Sequence, residues 1–350
     1  SIRYSASCGW IPAVRLSGIS AGAVNEKQEI TVSAISDNPG LIPNPEIRYT
    51  TPGGDGVLVL IPAANQVGEA TISVTVKDNG GVAGGGQDTT VVQFKVTIAP
   101  GGQQNVYFQN DDGSLALWEM NGTKLVRAAY LEPAHPGEAG WTVRATADFD
   151  LDGKHDLVLQ HDDGRLAVWF MEGAKLKSGA FLTPTTTGDR NWRVVGADDM
   201  DGDGRVDLVF QHSGNGMLAA WLMDGMTLRK SLLLNPSAPG QSGWGVVGTG
   251  DFNNDGKADL VFQHNDGTIA FWLMDGTNLV SGRVMESSQS LSSAWRVQGI
   301  ADLNQDTQLD LMVQTGDGSL SALFLNGTLL LEQVSFDPLQ TAAAWHLVGA

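Results

Sequence analysis

Two hydrophobic patterns divide the chain. Up to residue 99, apolar and polar positions alternate in short runs: Glu29-Ile-Thr-Val-Ser-Ala34, Ala70-Thr-Ile-Ser-Val-Thr-Val76 and Val91-Val-Gln-Phe-Lys-Val-Thr97. Alternation with period two, rich in β-branched residues, predicts strands with one buried face. Turn residues separate them, as in Asp37-Asn-Pro-Gly40 and Thr51-Pro-Gly-Gly54. From residue 106 the runs are shorter and more continuously apolar, and they repeat. A run such as Trp192-Arg-Val-Val-Gly196 precedes an acidic stretch. A second run follows (Asp207-Leu-Val-Phe-Gln211), then a Gly-containing turn, then a third (Thr268-Ile-Ala-Phe-Trp272-Leu-Met274).

About seven short strands in the first segment predict an immunoglobulin-like sandwich over 1–99. Pro100-Gly-Gly-Gln-Gln104 marks a linker, taken as 100–105. In the second segment, Trp141, Trp192, Trp244, Trp295 and Trp345 are 51, 52, 51 and 50 residues apart. Trp118, Trp169, Trp221 and Trp272 keep the same period, with Phe324 in the fifth copy, and so do Gln109, Gln160, Gln211, Gln263 and Gln314. Asp-Gly or Asn-Gly closes two turns per copy in most cases, for example Asp163-Gly164 and Asn121-Gly122, a dipeptide that suits two-residue hairpins. Four short antiparallel strands per repeat predict propeller blades. The chain starts the series at a second strand (Val106-Tyr-Phe-Gln109) and finishes on a first strand (Trp345-His-Leu-Val-Gly349). The expected architecture is therefore all-β: a sandwich, then a five-bladed propeller over 106–350 closed by its C-terminal strand. A fragment of a larger ring is the alternative.

The acidic stretch between the first two strands occurs four times. Its copies supply Asp148, Asp150, Asp152 and Asp156; Asp199, Asp201, Asp203 and Asp207; Asp251, Asn253, Asp255 and Asp259; and Asp302, Asn304, Asp306 and Asp310. Oxygen side chains at positions 1, 3, 5 and 9 suit a hard cation, because Ca²⁺ takes six to eight oxygens and alternate positions of a tight loop point inward together. Glycine at position 6 permits the turn. The reading is up to four Ca²⁺ ions with a structural role. Solvated turns without a cation are the bland alternative.

Charge changes the picture only in this light. The net charge is −18, and fourteen of the 39 acidic residues lie in these loops. Four Ca²⁺ ions would bring it to about −10. No basic patch is present to serve nucleic acid or an anionic membrane, and no apolar run is long enough to span a bilayer. No secretory leader is visible, so an exported protein would be in mature or excised form. Cys8 is the only cysteine, which excludes an intrachain disulfide and leaves a buried thiol or an intermolecular bond. His-Glu-x-x-His and phosphate-binding loops are absent, and no enzyme signature stands out.

The repeat core, Trp-x-Val-Val-Gly followed by the acidic loop and Asp-Leu-Val-Phe-Gln, resembles the FG-GAP/VCBS-type repeats of extracellular β-propellers over about 104–350. That resemblance implies calcium at Asp148, Asp150, Asp152, Asp156 and their counterparts. Loop four departs from it, with Thr307 for glycine and Asn304 for aspartate, so its site ranks weakest. Leu16-Ser-Gly-Ile-Ser-Ala-Gly22, Leu41-Ile-Pro-Asn-Pro45 and Ile61-Pro-Ala-Ala-Asn65 resemble bacterial cadherin-like or Ig-like surface repeats. Together the resemblances imply a secreted or surface protein of a bacterium.

Other features carry two readings each. The tryptophans are packing residues or a glycan platform. The Gln-His pairs at His161, His212 and His264 are structural hydrogen bonders, a polar ligand site or a metal site. Asn121-Gly-Thr123 and Asn326-Gly-Thr328 match a glycosylation sequon but are explained as hairpin turns. The segments 131–140, 183–191, 235–243 and 285–294 differ most among the copies, which is where a repeated scaffold carries binding. The expected function is non-enzymatic adhesion or interaction at a bacterial surface, with a protein or glycan ligand. The alternatives are a fibre subunit that self-associates, docking through Ser1–Pro12, and a lectin.

Overall fold

The computed structural model describes residues 2–5, 13–20, 28–51, 53–60, 68–80, 88–99, 103–287, 292–304 and 306–350. Cys8, Trp10 and the region around them lie outside the described residues. Among those described, the chain is all strand, turn and loop, with no helix, hence none long and apolar enough to cross a membrane. It divides into two compact units, Ser1–Gly102 with Asn304–Asp306, and Gln103–Leu303 with Thr307–Ala350.

The N-terminal unit has strands β1 (Ile2–Ser5), β2 (Ala13–Ser17), β3 (Ile30–Ser36), β4 (Glu46–Tyr49), β5 (Asp55–Val59), β6 (Gly68–Asp78) and β7 (Thr89–Ala99). They form a four-stranded sheet, β1-β7-β6-β3, and a three-stranded sheet, β2-β5-β4. β1 runs parallel to β7 and the other pairs are antiparallel. Both sheets feed one core: Leu58 from β5, Ile72 and Val74 from β6, Val96 from β7, and Leu41 and Ile42 from the loop before β4. The alternation along β6 and β3 thus turns one face inward.

The C-terminal unit begins with β8 (Gln103–Asn110), β9 (Leu115–Asn121) and β10 (Lys124–Tyr130). β8 starts at Gln103, inside the expected linker. Next come β11 (Trp141–Ala147), β12 (Asp156–His161), β13 (Arg165–Glu172) and β14 (Lys175–Thr186), then β15 (Trp192–Asp198), β16 (Asp207–His212), β17 (Leu218–Asp224) and β18 (Thr227–Leu233). β19 (Trp244–Gly250), β20 (Asp259–His264), β21 (Ile269–Asp275) and β22 (Asn278–Val284) follow, and the chain finishes with β23 (Arg296–Ala301), β24 (Asp310–Gln314), β25 (Ser319–Asn326), β26 (Leu329–Gln340) and β27 (Trp345–Gly349). Each successive group of four is an antiparallel meander. β27 joins β8–β10, pairing Trp345 with Asn110 and Leu347 with Phe108.

These four-stranded sets follow one another in cyclic order. The Gly196 backbone on β15 lies under the Thr249 side chain of β19, Gly248 on β19 under Ile300 of β23, and Gly349 on β27 under Thr146 of β11. Single parallel bridges link the outer strands: Glu132 to Lys175, Thr183 to Thr227, Asn235 to Asn278, Glu286 to Leu329, and Asp337 back to Lys124. The glutamine series makes a third set of links. Gln160 donates to Trp192 O (2.8 Å) and accepts from Val194 N–H (3.1 Å), so the second strand of one set holds the first strand of the next. Gln109, Gln211, Gln263 and Gln314 do the same to Trp141/Val143, Trp244/Val246, Trp295/Val297 and Trp345/Leu347. This is a β-propeller arrangement.

The middles of the second strands are continuously apolar because both of their faces are covered. On β16, Leu208 and Phe210 pack with Val158, Leu166 and Val168, while Val209 packs with Leu260, Phe262 and Met274 of the following set. The hairpin glycines Gly122, Gly173, Gly225, Gly276 and Gly327 have φ of +59°, +60°, +57°, +61° and +58°, the left-handed geometry that Asn-Gly and Asp-Gly supply without a Cβ clash. Because the strands alternate in direction, the acidic loops share one end of the unit with these hairpins. The Asp-Gly turns after the second strands and the segments preceding each tryptophan occupy the other end.

Candidate metal centre

Each acidic loop is first a backbone device. Asp148 Oδ1 accepts from Asp152 N–H (3.0 Å) and Oδ2 from Gly153 N–H (2.8 Å). Asp199 and Asp251 hold positions 5 and 6 of their loops in the same way. Two residues per loop are left-handed: Leu151 and Gly153, Gly202 and Gly204, Asn254 and Gly256, with φ between +58° and +83°. In loop four, Thr307 takes position 6 at φ +71° and still donates its N–H to Asp302 Oδ2 (2.9 Å). A β-branched residue in this region costs about 1–3 kcal/mol. Thr307→Gly is therefore expected to stabilise the protein by about 1 kcal/mol after the larger unfolded-state entropy of glycine is deducted. Urea unfolding checks this, and an unchanged or lowered midpoint would mean that Thr307 is not strained.

Position 9 has a role that spacing did not reveal. Asp156, Asp207, Asp259 and Asp310 are buried, at 1%, 0%, 0% and 0% exposure. Both carboxylate oxygens of each accept backbone N–H groups, one from position 2 of the loop and one from the third strand. For Asp207 the donors are Met200 (3.1 Å) and Met223 (2.7 Å); for Asp259, Phe252 (3.0 Å) and Met274 (2.8 Å). Burial pushes the Asp207 and Asp259 carboxyls up to about 6, against the lowering effect of those bonds and with help from neighbouring loop carboxylates. Asp156 is raised for the same reason. Each oxygen has a second lone pair, so clamping the backbone leaves capacity for a cation.

Three carboxylates converge in two of the loops. Oxygens of Asp148, Asp150 and Asp156, and of Asp199, Asp201 and Asp207, lie within 4.8 Å of one another. Position 5 stands outside both groups: Asp152 and Asp203 turn an oxygen to the N–H of Lys154 and Arg205. Loops three and four bring together no such trio among the described residues. There the position-3 residue is asparagine, and its amide donates to the position-5 carboxylate, Asn253 to Asp255 and Asn304 to Asp306 (both 3.0 Å).

The converging loops fit a divalent cation by their chemistry. Asp201 Oδ1 is buried and has no hydrogen-bond partner, while its Oδ2 is met by Arg229, which also lies 3.1 Å from Asp203. Lys177 approaches Asp150 (2.9 Å) and Asp152 (3.4 Å) equivalently in loop one. An inward, unpartnered anionic oxygen amid two further carboxylates is costly unless a positive charge joins it, and oxygen-only donors suit Ca²⁺. Asp199, Asp201 and Asp207 would hold one ion, and Asp148, Asp150 and Asp156 another.

Among the described residues, the groups that could hold a metal ion contain no histidine. His161, His212 and His264 pack against Trp141, Trp192 and Trp244, with ring centroids 5.1, 5.1 and 5.0 Å apart. Among the repeated tryptophans only Trp221 is buried; the others are half-exposed.

Comparison with known proteins agrees with the acidic-loop period. The FG-GAP-like repeat profile matches residues 148–210, 199–262 and 251–313, each match starting at the first aspartate of a loop. The chain thus carries three FG-GAP-like repeats. No curated protein matches it. Among solved structures, Chaetomium thermophilum Raptor is similar at 13% identity with a TM-score of 0.33, over 69% of this chain and 21% of that one. The chain thus spans about a fifth of Raptor's length. Dihydro-heme d1 dehydrogenase NirN, in complex with DHE, is similar at 11% identity and a TM-score of 0.29, over 92% and 68% of the two chains. At these scores neither assigns a fold or an activity.

Proposed function

We propose that the C-terminal unit is a five-bladed β-propeller closed by its last strand, held by structural Ca²⁺ in its acidic loops, and that it follows an Ig-like sandwich. The whole is a non-enzymatic adhesion or interaction module of a bacterial surface, working outside the cell. One observation carries this reading: a division of labour between the two ends of the unit. The repeated acidic loops lie at one end. At the other, the segments that vary most among the copies line open clefts. Residues 135–141 border one of about 550 Å³ with Gln109, Asp111 and His346, and residues 238–244 border one of about 610 Å³ with Arg193 and His212. A constant face that binds cation and a variable face that binds partner is how a repeated scaffold acquires specificity.

A second reading, a lectin, draws on two aromatic slots at the sides of the sets. Phe108, Trp118, Tyr130 and Trp345 surround one of about 380 Å³ with Gln340 and Thr341. Trp141, Trp169 and Phe181 surround another of about 500 Å³ with Glu138. Tyr130 and Phe181 are 62% and 51% exposed, as a sugar-stacking platform requires. Saturable quenching of tryptophan fluorescence by sugar is what this reading predicts.

The decisive experiment is thermal unfolding with light scattering, in Ca²⁺ and in chelator. At a hundredfold excess over the dissociation constant each site adds about 2.7 kcal/mol, so a clear rise in Tm at constant mass is expected. A rise in mass with Ca²⁺ favours the fibre subunit, and no effect on either refutes calcium binding. The pH dependence has a definite sign. Without metal, Asp207 and Asp259 bind protons more tightly folded than unfolded, so their contribution is present at low pH and is lost as pH rises through about 6. Ca²⁺ needs the ionised forms, so its stabilisation is full above that pH and shrinks below it.

A further inference from the structure

We propose that the axis of the C-terminal unit binds a small oxyanion between the guanidiniums of Arg144 and Arg193. The strands β11, β15, β19, β23 and β27 border a narrow cavity of about 70 Å³, lined by three successive residues of each of the first four and by Val348, Gly349 and the following Ala350. All five carry a bulge at the same place, between Val143 and Ala145 in β11 and at the matching residues of the others. A bulge re-aims the extra side chain. The residues so presented are Arg144, Val195, Val247, Gln298 and Val348, all of which line the cavity. One cation therefore stands in a ring that is otherwise neutral.

Its Nε is buried without a hydrogen-bond partner, and so is Nη1 of Arg193. Burial and the nearby Arg193 charge push the Arg144 guanidinium below its ordinary pKa, against the opposing charge of Asp162. The equivalents of Arg193 on other strands are satisfied: Arg296 donates to carbonyls of Ser293, Trp295 and Asn265, and His346 meets Asp111 at 2.8 Å. Two neighbouring guanidiniums, each with one buried N–H that lacks a partner, are unfavourable alone and form a fork for a sulfate, phosphate or carboxylate group. Size limits the ligand to a few heavy atoms, since one water takes about 30 Å³. Arg193 and Val195 also line the 610 Å³ cleft, and Val195 belongs to both spaces, which gives the anion its route in.

The chain's net charge of −18 repels anions in general, so saturable binding demands a local site. The test is thermal unfolding of the full chain while sodium sulfate replaces sodium chloride at constant ionic strength. Sulfate stabilises any protein in proportion to its concentration; a site adds a hyperbolic component. That component is expected in the native sequence and in the exposed control Arg283→Gln, and is expected to vanish in Arg144→Gln and Arg193→Gln. Should Arg144→Gln fail to fold, Arg193→Lys keeps the charge, loses the fork, and is expected to weaken binding at least tenfold. A purely linear response in the native protein, or a hyperbolic one that both arginine variants retain, overturns the proposal. Calorimetric titration of sulfate probes the same site directly: saturable heat is expected, and its absence overturns the proposal as well.

Discussion

Asp207→Ala is expected to lower the free energy of unfolding by about 2–5 kcal/mol, and to do so in chelator as well as in Ca²⁺. The side chain is fully buried, and its two oxygens are the acceptors for Met200 and Met223 N–H. Alanine leaves both donors inside the protein with nothing to bond, at about 1–3 kcal/mol each, and opens a small void. Relief of a carboxylate whose ionisation burial already disfavours offsets part of this. Asp201→Asn supplies the contrast. That substitution removes the charge of the unpartnered Oδ1 and loosens the Arg229 contact, an exposed ion pair worth at most about 1 kcal/mol. In chelator its stability is therefore expected to stay within about 1 kcal/mol of the native protein. In saturating Ca²⁺ it is expected to fall behind by the contribution of one site, about 2.7 kcal/mol at a hundredfold excess. Urea unfolding of both variants, each with and without Ca²⁺, separates a carboxylate that clamps backbone from one that waits for a cation. If Asp201→Asn gains as much from Ca²⁺ as the native protein, loop two is not a calcium site.

That contrast marks the limit of what the sequence discloses. Turn dipeptides, tryptophan period and strand order are local or periodic signals, and each reappears where it was expected: Trp192–Gly196 grows only to Asp198, and Trp345–Gly349 pairs with the β8 strand. The acidic loops were equally legible as turns between first and second strands, since oxygen side chains at positions 1, 3 and 5 of a turn are a pattern. Their separate duties were not. An aspartate at position 9 looks the same whether its oxygens face a cation or two N–H groups, and the third-strand donor comes from about fifteen residues away in sequence, Met223 for Asp207. Arg144 was invisible for another reason. A bulge adds one residue to one strand without changing the repeat length, so nothing in the spacing says that this side chain turns to the axis. The glutamine series was visible as a series, but its partners lie more than thirty residues on, and a repeat of 51 or 52 residues does not say which copy touches which.

Gln160→Leu, nearly isosteric, is expected to destabilise the protein by about 2–4 kcal/mol. Gln160 is 1% exposed and satisfies a carbonyl and an N–H that belong to the neighbouring set. Leucine fills the space and leaves both groups buried and unpaired, which isolates the hydrogen-bond term from any cavity. Gln160→Glu is expected to be worse near neutral pH, because it keeps the acceptor for Val194 but turns a second acceptor, and a buried charge, towards Trp192 O. The series is graded by geometry: Gln211, with a longer bond of 3.3 Å to Trp244 O and a partly exposed side chain, is expected to lose least. Gln314 is the informative member, because its partners Trp345 and Leu347 sit on the last strand, which completes the first set by pairing with β8. Gln314→Leu is therefore expected to speed hydrogen exchange of Leu347 and its neighbours well beyond the change in global stability, whereas Gln160→Leu is not. Equal exchange at 345–349 in the two variants would mean that pairing with β8 alone holds the last strand in place and that the glutamine only adds stability.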